Sequence, residues 1–181
     1  MSRLLPLTLA ATAVASIVSV QWFEHHRPLF AAVPAPVLAT RILTPRDSAI
    51  AAVNEFFRAM TARDTAALNR VQMADGVQYS ARVRGDSVAI ARGTFEGFSR
   101  QLASMSDTYV ERMWDPTVLV HGPLAVVWAP YDIHRNGQFV HCGVDAFTLM
   151  RTPTGWKIAT VSYTAEPVGC APSPLGPLPA R

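Results

Sequence analysis

Cysteine is scarce in this sequence. Cys142 and Cys170 are the only two in 181 residues, and neither stands in a CxxC or Cys/His spacing, which argues against structural zinc. An oxidising compartment would allow them to pair, with Cys170 on a Pro/Gly-rich tail able to fold back; the alternative is two free thiols, one buried as a small hydrophobe. Net charge is missing from the middle of the chain. Between residues 44 and 170, eleven Arg and Lys157 are matched by twelve Asp and Glu. The formal excess of +3 comes from Arg3, Arg27, Arg41 and Arg181 against Glu24, all near the ends. A middle segment without positive excess lacks the footprint of a nucleic-acid binder, whatever the pI of the whole chain. No internal repeat is present, so a repeat architecture is excluded.

Long apolar runs are confined to one place. Residues 4–20, LLPLTLAATAVASIVSV, carry no charge and follow Arg3. This pattern reads as an export signal or an N-terminal membrane anchor. Seventeen residues of helix span roughly 25 Å against a hydrocarbon core of about 30 Å, and Trp22 and Phe23 could extend the run to the interface. Small-x-small sites occur at Ala13-Val14-Ala15 and, more loosely, at Val37-Leu38-Ala39, so cleaved signal and retained anchor both stand. Contact with a membrane is expected only through this segment, if it is retained.

The remaining organisation is read from proline and periodicity. Residues 1–43 comprise the apolar segment and a linker containing Pro28, Pro34 and Pro36; residues 44–170 form one domain; residues 171–181, APSPLGPLPAR, read as a disordered tail. Within the domain, Thr44 and Pro45 open a helix over 45–63, with Ile50, Val53, Phe57 and Met60 on one stripe. Asp64 caps a short helix over 65–72, and Thr94 precedes a third over about 95–105. Short strands are expected over 77–81 and 87–91 around Arg84-Gly85-Asp86, which is ordinary turn chemistry and not an adhesion motif. Strands then follow over 109–114, 118–120, 124–134, 139–150 and 156–164. Helices followed by a long meander give an α+β fold.

The stretch YDIHRNGQFVHCGVDAF, residues 131–147, holds most of the ionisable candidates. Asn136-Gly137 specifies a two-residue hairpin turn, because both positions of a type I′ turn need φ > 0. An uninterrupted register from that turn sets Asp132 opposite His141, Tyr131 opposite Cys142 and Trp128 opposite Asp145. It gathers Trp128, Asp132, His134, Phe139, His141, Asp145 and Phe147 on one face. Continuing across the next turn, Arg151 meets Trp156, Asp145 meets Ser162 and Phe147 meets Thr160. A bulge near Pro130 or Gly143 would shift the phase on part of the strand.

These residues, with the Phe56-Phe57 helix and the run WAPYD…HCGVDAF…GWKI, resemble the nuclear transport factor 2-like superfamily, and within it the lumazine-binding and SnoaL-like subgroup. The resemblance spans residues 44–170. It implies a cone in which a strongly curved antiparallel sheet packs on three N-terminal helices and encloses a pocket. It also implies frequent homodimers, and functions ranging from isomerases, cyclases and dehydratases to non-enzymatic binders. The catalytic set of ketosteroid isomerase finds no matching motif, so none of its residues is carried over. Three functions follow as expectations. The first is an exported binder of a small molecule, contacted by Trp128, His134, Phe139, Asp145 and Phe147. The second is an isomerase-, cyclase- or dehydratase-like enzyme using His141 as acid or base, oriented by Asp132. The third is a non-catalytic dimerisation module. His134, His141 and an acid share a face without tight ligand spacing, so no metal site is assigned, and no cofactor is implied.

Overall fold

The computed structural model describes residues 43–178. The apolar segment and linker expected before residue 43, and the last three residues of the tail, lie outside the described residues. Among the described residues, no helix is long and apolar enough to cross a membrane.

Helix α1 (Pro45–Ala62) begins where the sequence places it: the Thr44 side chain accepts the backbone N–H of Asp47, and Pro45 occupies the first turn. Arg63 ends it in the left-handed region at φ 55°. Helix α2 (Thr65–Val71) starts on Asp64, whose carboxylate accepts the Ala67 N–H at 2.8 Å. Helix α3 (Phe95–Ser104) starts on Thr94, which accepts from Gly97 at 3.1 Å. Each cap satisfies one of the donors that a helix start leaves free.

The strands are β1 (Gln72–Arg84), β2 (Ser87–Thr94), β3 (Tyr109–Met113), β4 (Thr117–His121), β5 (Leu124–Arg135), β6 (Gln138–Thr152) and β7 (Gly155–Ala165). They form one curved sheet in the order β2-β1-β7-β6-β5-β3, with β4 also paired to β5, and the sheet does not close into a barrel. The expected α+β architecture of helices against a strongly curved sheet is present. One feature differs from an all-antiparallel sheet: β1 runs parallel to β7, so the sheet is mixed. The chain reaches that pairing by way of α3 and the β3–β6 meander, a crossover that alternation within a short strand does not reveal.

The core lies between the helices and the inner face of the sheet. Phe56 and Phe57 of α1 meet Phe147 of β6 edge-on at 5.9 and 5.7 Å. Leu68, Phe95, Leu102, Val127, Leu149 and Ile158 complete the centre, all fully buried. Trp156 Nε1 donates to Ser48 Oγ at 3.0 Å, tying β7 to the start of α1. The tail expected to be disordered is described as far as Leu178, and the Gly176 carbonyl accepts a hydrogen bond from Arg112 at 2.9 Å.

Candidate functional site

The hairpin turn forms as expected, with Asn136 at φ 52° and Gly137 at φ 83°. Arg135 faces Gln138 and His134 faces Phe139. The register then slips by one residue: Ile133 faces His141, Asp132 faces Cys142, Tyr131 faces Gly143 and Ala129 faces Asp145. Val140 is the extra residue of a β-bulge. Because side chains alternate along a strand, one inserted residue transfers everything beyond it to the other face. The expected Asp132–His141 pair is therefore absent, and the two side chains lie on opposite faces of the sheet. The β6–β7 turn behaves alike. Arg151 meets Trp156, but Ala159 is skipped, so Asp145 pairs with Tyr163 and Phe147 with Val161, not with Ser162 and Thr160.

The outer face keeps Trp128, Asp132, His134 and Phe139. Arg112 lies directly opposite Asp132 and grips both carboxylate oxygens, at 2.9 and 2.5 Å. His134 Nδ1 stands 3.7 Å from the same carboxylate, and its ring meets Phe139 edge-on at 5.8 Å. Cys142 and Cys170 are joined by a disulfide with Cα atoms 6.0 Å apart, and Glu166 exchanges backbone hydrogen bonds with Cys142. The disulfide and the following segment cover the Arg112–Asp132 pair. Trp128 stays 47% exposed. A carboxylate already engaged by a bidentate guanidinium is a structural partner and is poorly placed to orient a catalytic histidine.

The inner face receives His141, Asp145 and Phe147. They border a cavity of about 90 Å³ within the cone, together with Glu111 of β3, Tyr131 of β5 and Tyr163 of β7. Phe56 and Phe98 close it from the helices, their rings stacked 5.9 Å apart. Gly143 is required at the edge of this site, because a Cβ there would collide with the Thr164 carbonyl that runs alongside. Tyr131 donates its hydroxyl proton to that carbonyl at 2.7 Å. Its oxygen lies 3.2 Å from His141 Nδ1. With the single phenolic proton committed to Thr164, Tyr131 accepts from His141, which places the imidazole proton on Nδ1 and leaves Nε2 as an acceptor.

The electrostatics of the cavity are those of a buried acid, Asp145, beside a half-buried one, Glu111. Asp145 is 1% exposed, and its Oδ2 has no hydrogen-bond partner. Burial raises its pKa to about 7, against a smaller lowering by a hydrogen bond with Glu111. Glu111 is pushed well above the usual carboxylate range, first by desolvation and then by the Asp145 charge. Two carboxyls that interact across one cavity favour holding a proton between them, as like charges in a shared low-dielectric site do. Tyr131 is likewise pushed up by burial and by Glu111, and stays protonated. His141 is pushed down, by burial first and by Arg82 second, which favours the neutral ring. Among the described residues, no Arg or Lys borders the cavity.

The inner site thus unites three residues named from the sequence, His141, Asp145 and Phe147, with Tyr163 and with Tyr131, which the uninterrupted register sets with Cys142 on the other face. Glu111 was missed. Its signal is present in Tyr109-Val-Glu-Arg-Met113, where an acid occupies the phase of two residues that pack on the core.

No family model matches the sequence, and no curated protein matches it. Solved structures share its fold. One is an NTF2-like protein from Cytophaga hutchinsonii, with a TM-score of 0.57 and 15% identity, covering 68% of this chain and 99% of that one. Another is an NTF2-like superfamily protein from Salmonella enterica serovar Typhimurium, with a TM-score of 0.54 and 15% identity over 70% and 94% of the two chains. A third, from Streptomyces avermitilis, is a candidate dehydratase of the NTF2-like family, with a TM-score of 0.51 and 21% identity over 66% and 94%. At these identities the likeness is one of fold: the chain has the NTF2-like, cystatin-like architecture.

Proposed function

We propose that this chain is an exported member of the NTF2-like superfamily, near the lumazine-binding and SnoaL-like subgroup, whose cone binds a small, partly apolar molecule. The observation that carries the reading is Asp145: a buried carboxyl with an unpartnered oxygen, bordering an aromatic-walled cavity. Such an atom costs stability unless something satisfies it, and a ligand's polar group does so. A volume of about 90 Å³ lies below the roughly 300–1,000 Å³ of drug-sized pockets, so the occupant is small. Export is supported by the apolar run after Arg3 and by the Cys142–Cys170 disulfide, which persists in oxidising compartments. Subgroup membership rests on the WAPYD…HCGVDAF…GWKI run.

The raised carboxyl of Asp145 favours a second reading, proton transfer within the same cavity, because an acid poised near neutral pH can both give and take a proton. His141 would act there beside Asp145 and Glu111, with Asp132 excluded by its place on the outer face. Native mass spectrometry of the full chain purified from its own host tests the binding reading. A retained small molecule that disappears in Phe147→Ala upholds it; wild-type protein with no retained molecule, and no stabilisation by any member of a small-metabolite panel, refutes it. Turnover of the recovered molecule, lost in Asp145→Asn with binding retained, would establish the enzyme.

A further inference from the structure

We infer that the cavity takes a small organic ammonium ion, a primary or secondary amine in its protonated form, with its N–H groups on Asp145 and Glu111 and its carbon skeleton against Phe56, Phe98 and Phe147. This rests on the binding reading above and specifies the ligand class. The titratable groups facing the cavity are Glu111 from β3, Tyr131 from β5, His141 and Asp145 from β6, and Tyr163 from β7; α1, α3 and β1 present none. Acceptors dominate this set. The two carboxyls offer four oxygens, among them the buried, unpartnered Asp145 Oδ2, and neutral His141 adds Nε2. Donors not already engaged are few: the Gln78 amide, the Tyr163 hydroxyl and the proton that the carboxyls hold.

Acids buried without a counter-charge are neutralised either by protons or by a cation. Two arginines stand in the β3–β5 register: Arg112 is held on the outer face by Asp132 and by the Gly176 carbonyl, and Arg135 is exposed at the hairpin end beside Asp107. Arg82 disfavours a proton on His141 but does not border the cavity. Among the described residues no base borders the carboxyls, so a cation that replaces their proton is a ligand. An ammonium ion supplies N–H donors to the acceptors and positive charge to the carboxylates, and it gains further attraction from the faces of the surrounding rings. Its entry displaces a proton held between Glu111 and Asp145, which leaves to solvent.

Calorimetric titration of the full chain at neutral pH tests this with three probes that share an isobutyl group: isobutylammonium, the neutral 2-methylpropan-1-ol, and the anionic 3-methylbutanoate. Buffers of different ionisation enthalpy report proton release. The expected result is an ammonium ion bound at least about tenfold more tightly than the alcohol, with net proton release and no binding of the carboxylate. Asp145→Asn is expected to abolish both the preference and the release, and a native denaturation midpoint for this variant shows that it is folded. Alcohol or carboxylate bound as tightly as the ammonium ion, or ammonium binding without proton release, overturns the inference and leaves the pocket reading intact. No binding by any probe at millimolar concentration also overturns it. Xenon uptake, lost in Phe147→Trp, then tells whether the cavity itself is present.

Discussion

Asp145 shows how one buried proton becomes a property of the protein. Its carboxyl titrates at about 7 in the fold against 3.8 for an ordinary aspartate. Below the lower value both states hold the proton, and its contribution to stability is complete. As pH rises toward the upper value, the unfolded chain has released the proton while the native one keeps it, so stability falls. The slope is up to about 1.4 kcal/mol per pH unit for one proton. Denaturant titrations between pH 4 and 8 are expected to show this decline, and Asp145→Asn, which mimics the protonated form, should flatten it. An equal slope in both proteins would contradict the assignment. Tyr131 is the second residue with a sharp expectation. Tyr131→Phe leaves the Thr164 carbonyl and His141 Nδ1 without their partner inside the protein, at a cost of about 1–3 kcal/mol in the same assay. A loss near zero would mean that the phenol bonds are not made.

At the scale of elements, two β-bulges decide the chemistry. The helix caps Thr44, Asp64 and Thr94, the three helices and the Asn136-Gly137 turn were legible in the sequence because each depends on a few adjacent residues. The face assignment was not, because a one-residue slip at Val140 is set by how β6 curves over the core. A local signal existed: Phe147 and Leu149 are large apolar residues that must face inward, and the uninterrupted register would pair them with Val126 and Leu124, not with the core residues Val127 and Ala125. The parallel β1–β7 pairing was illegible for a related reason, since its partners are some eighty residues apart. Outer-face elements carry their own expectations. Arg112→Ala strands the Asp132 carboxylate under the C-terminal segment and should cost about 3–5 kcal/mol, while the Arg112→Met, Asp132→Leu double variant recovers most of the loss. Comparable losses in the two proteins would show that packing, not charge, is what Arg112 supplies. Cys170→Ser should lower stability by about 2–4 kcal/mol. Because Cys142 faces away from the cavity, ligand affinity should be unchanged in that variant; a parallel loss of binding would show that the two faces are coupled.

Across the whole molecule, the curved sheet separates two kinds of acid. Asp132 is ionically paired on the outside, beneath the disulfide and the C-terminal segment, whereas Glu111 and Asp145 share protons on the inside among phenylalanine rings. Fold comparison identifies the architecture, and this partition of charge gives the architecture a specific site. The most direct test is a carbon-detected NMR titration of the side-chain carboxyls in the full chain. Asp145 is predicted to titrate with a midpoint of about 7, Glu111 to keep its proton well above the ordinary carboxylate range, and both resonances to move when a ligand enters. If both carboxyls instead titrate with ordinary midpoints, they are solvated, the proton-sharing acid pair does not exist, and the inner-face site is contradicted.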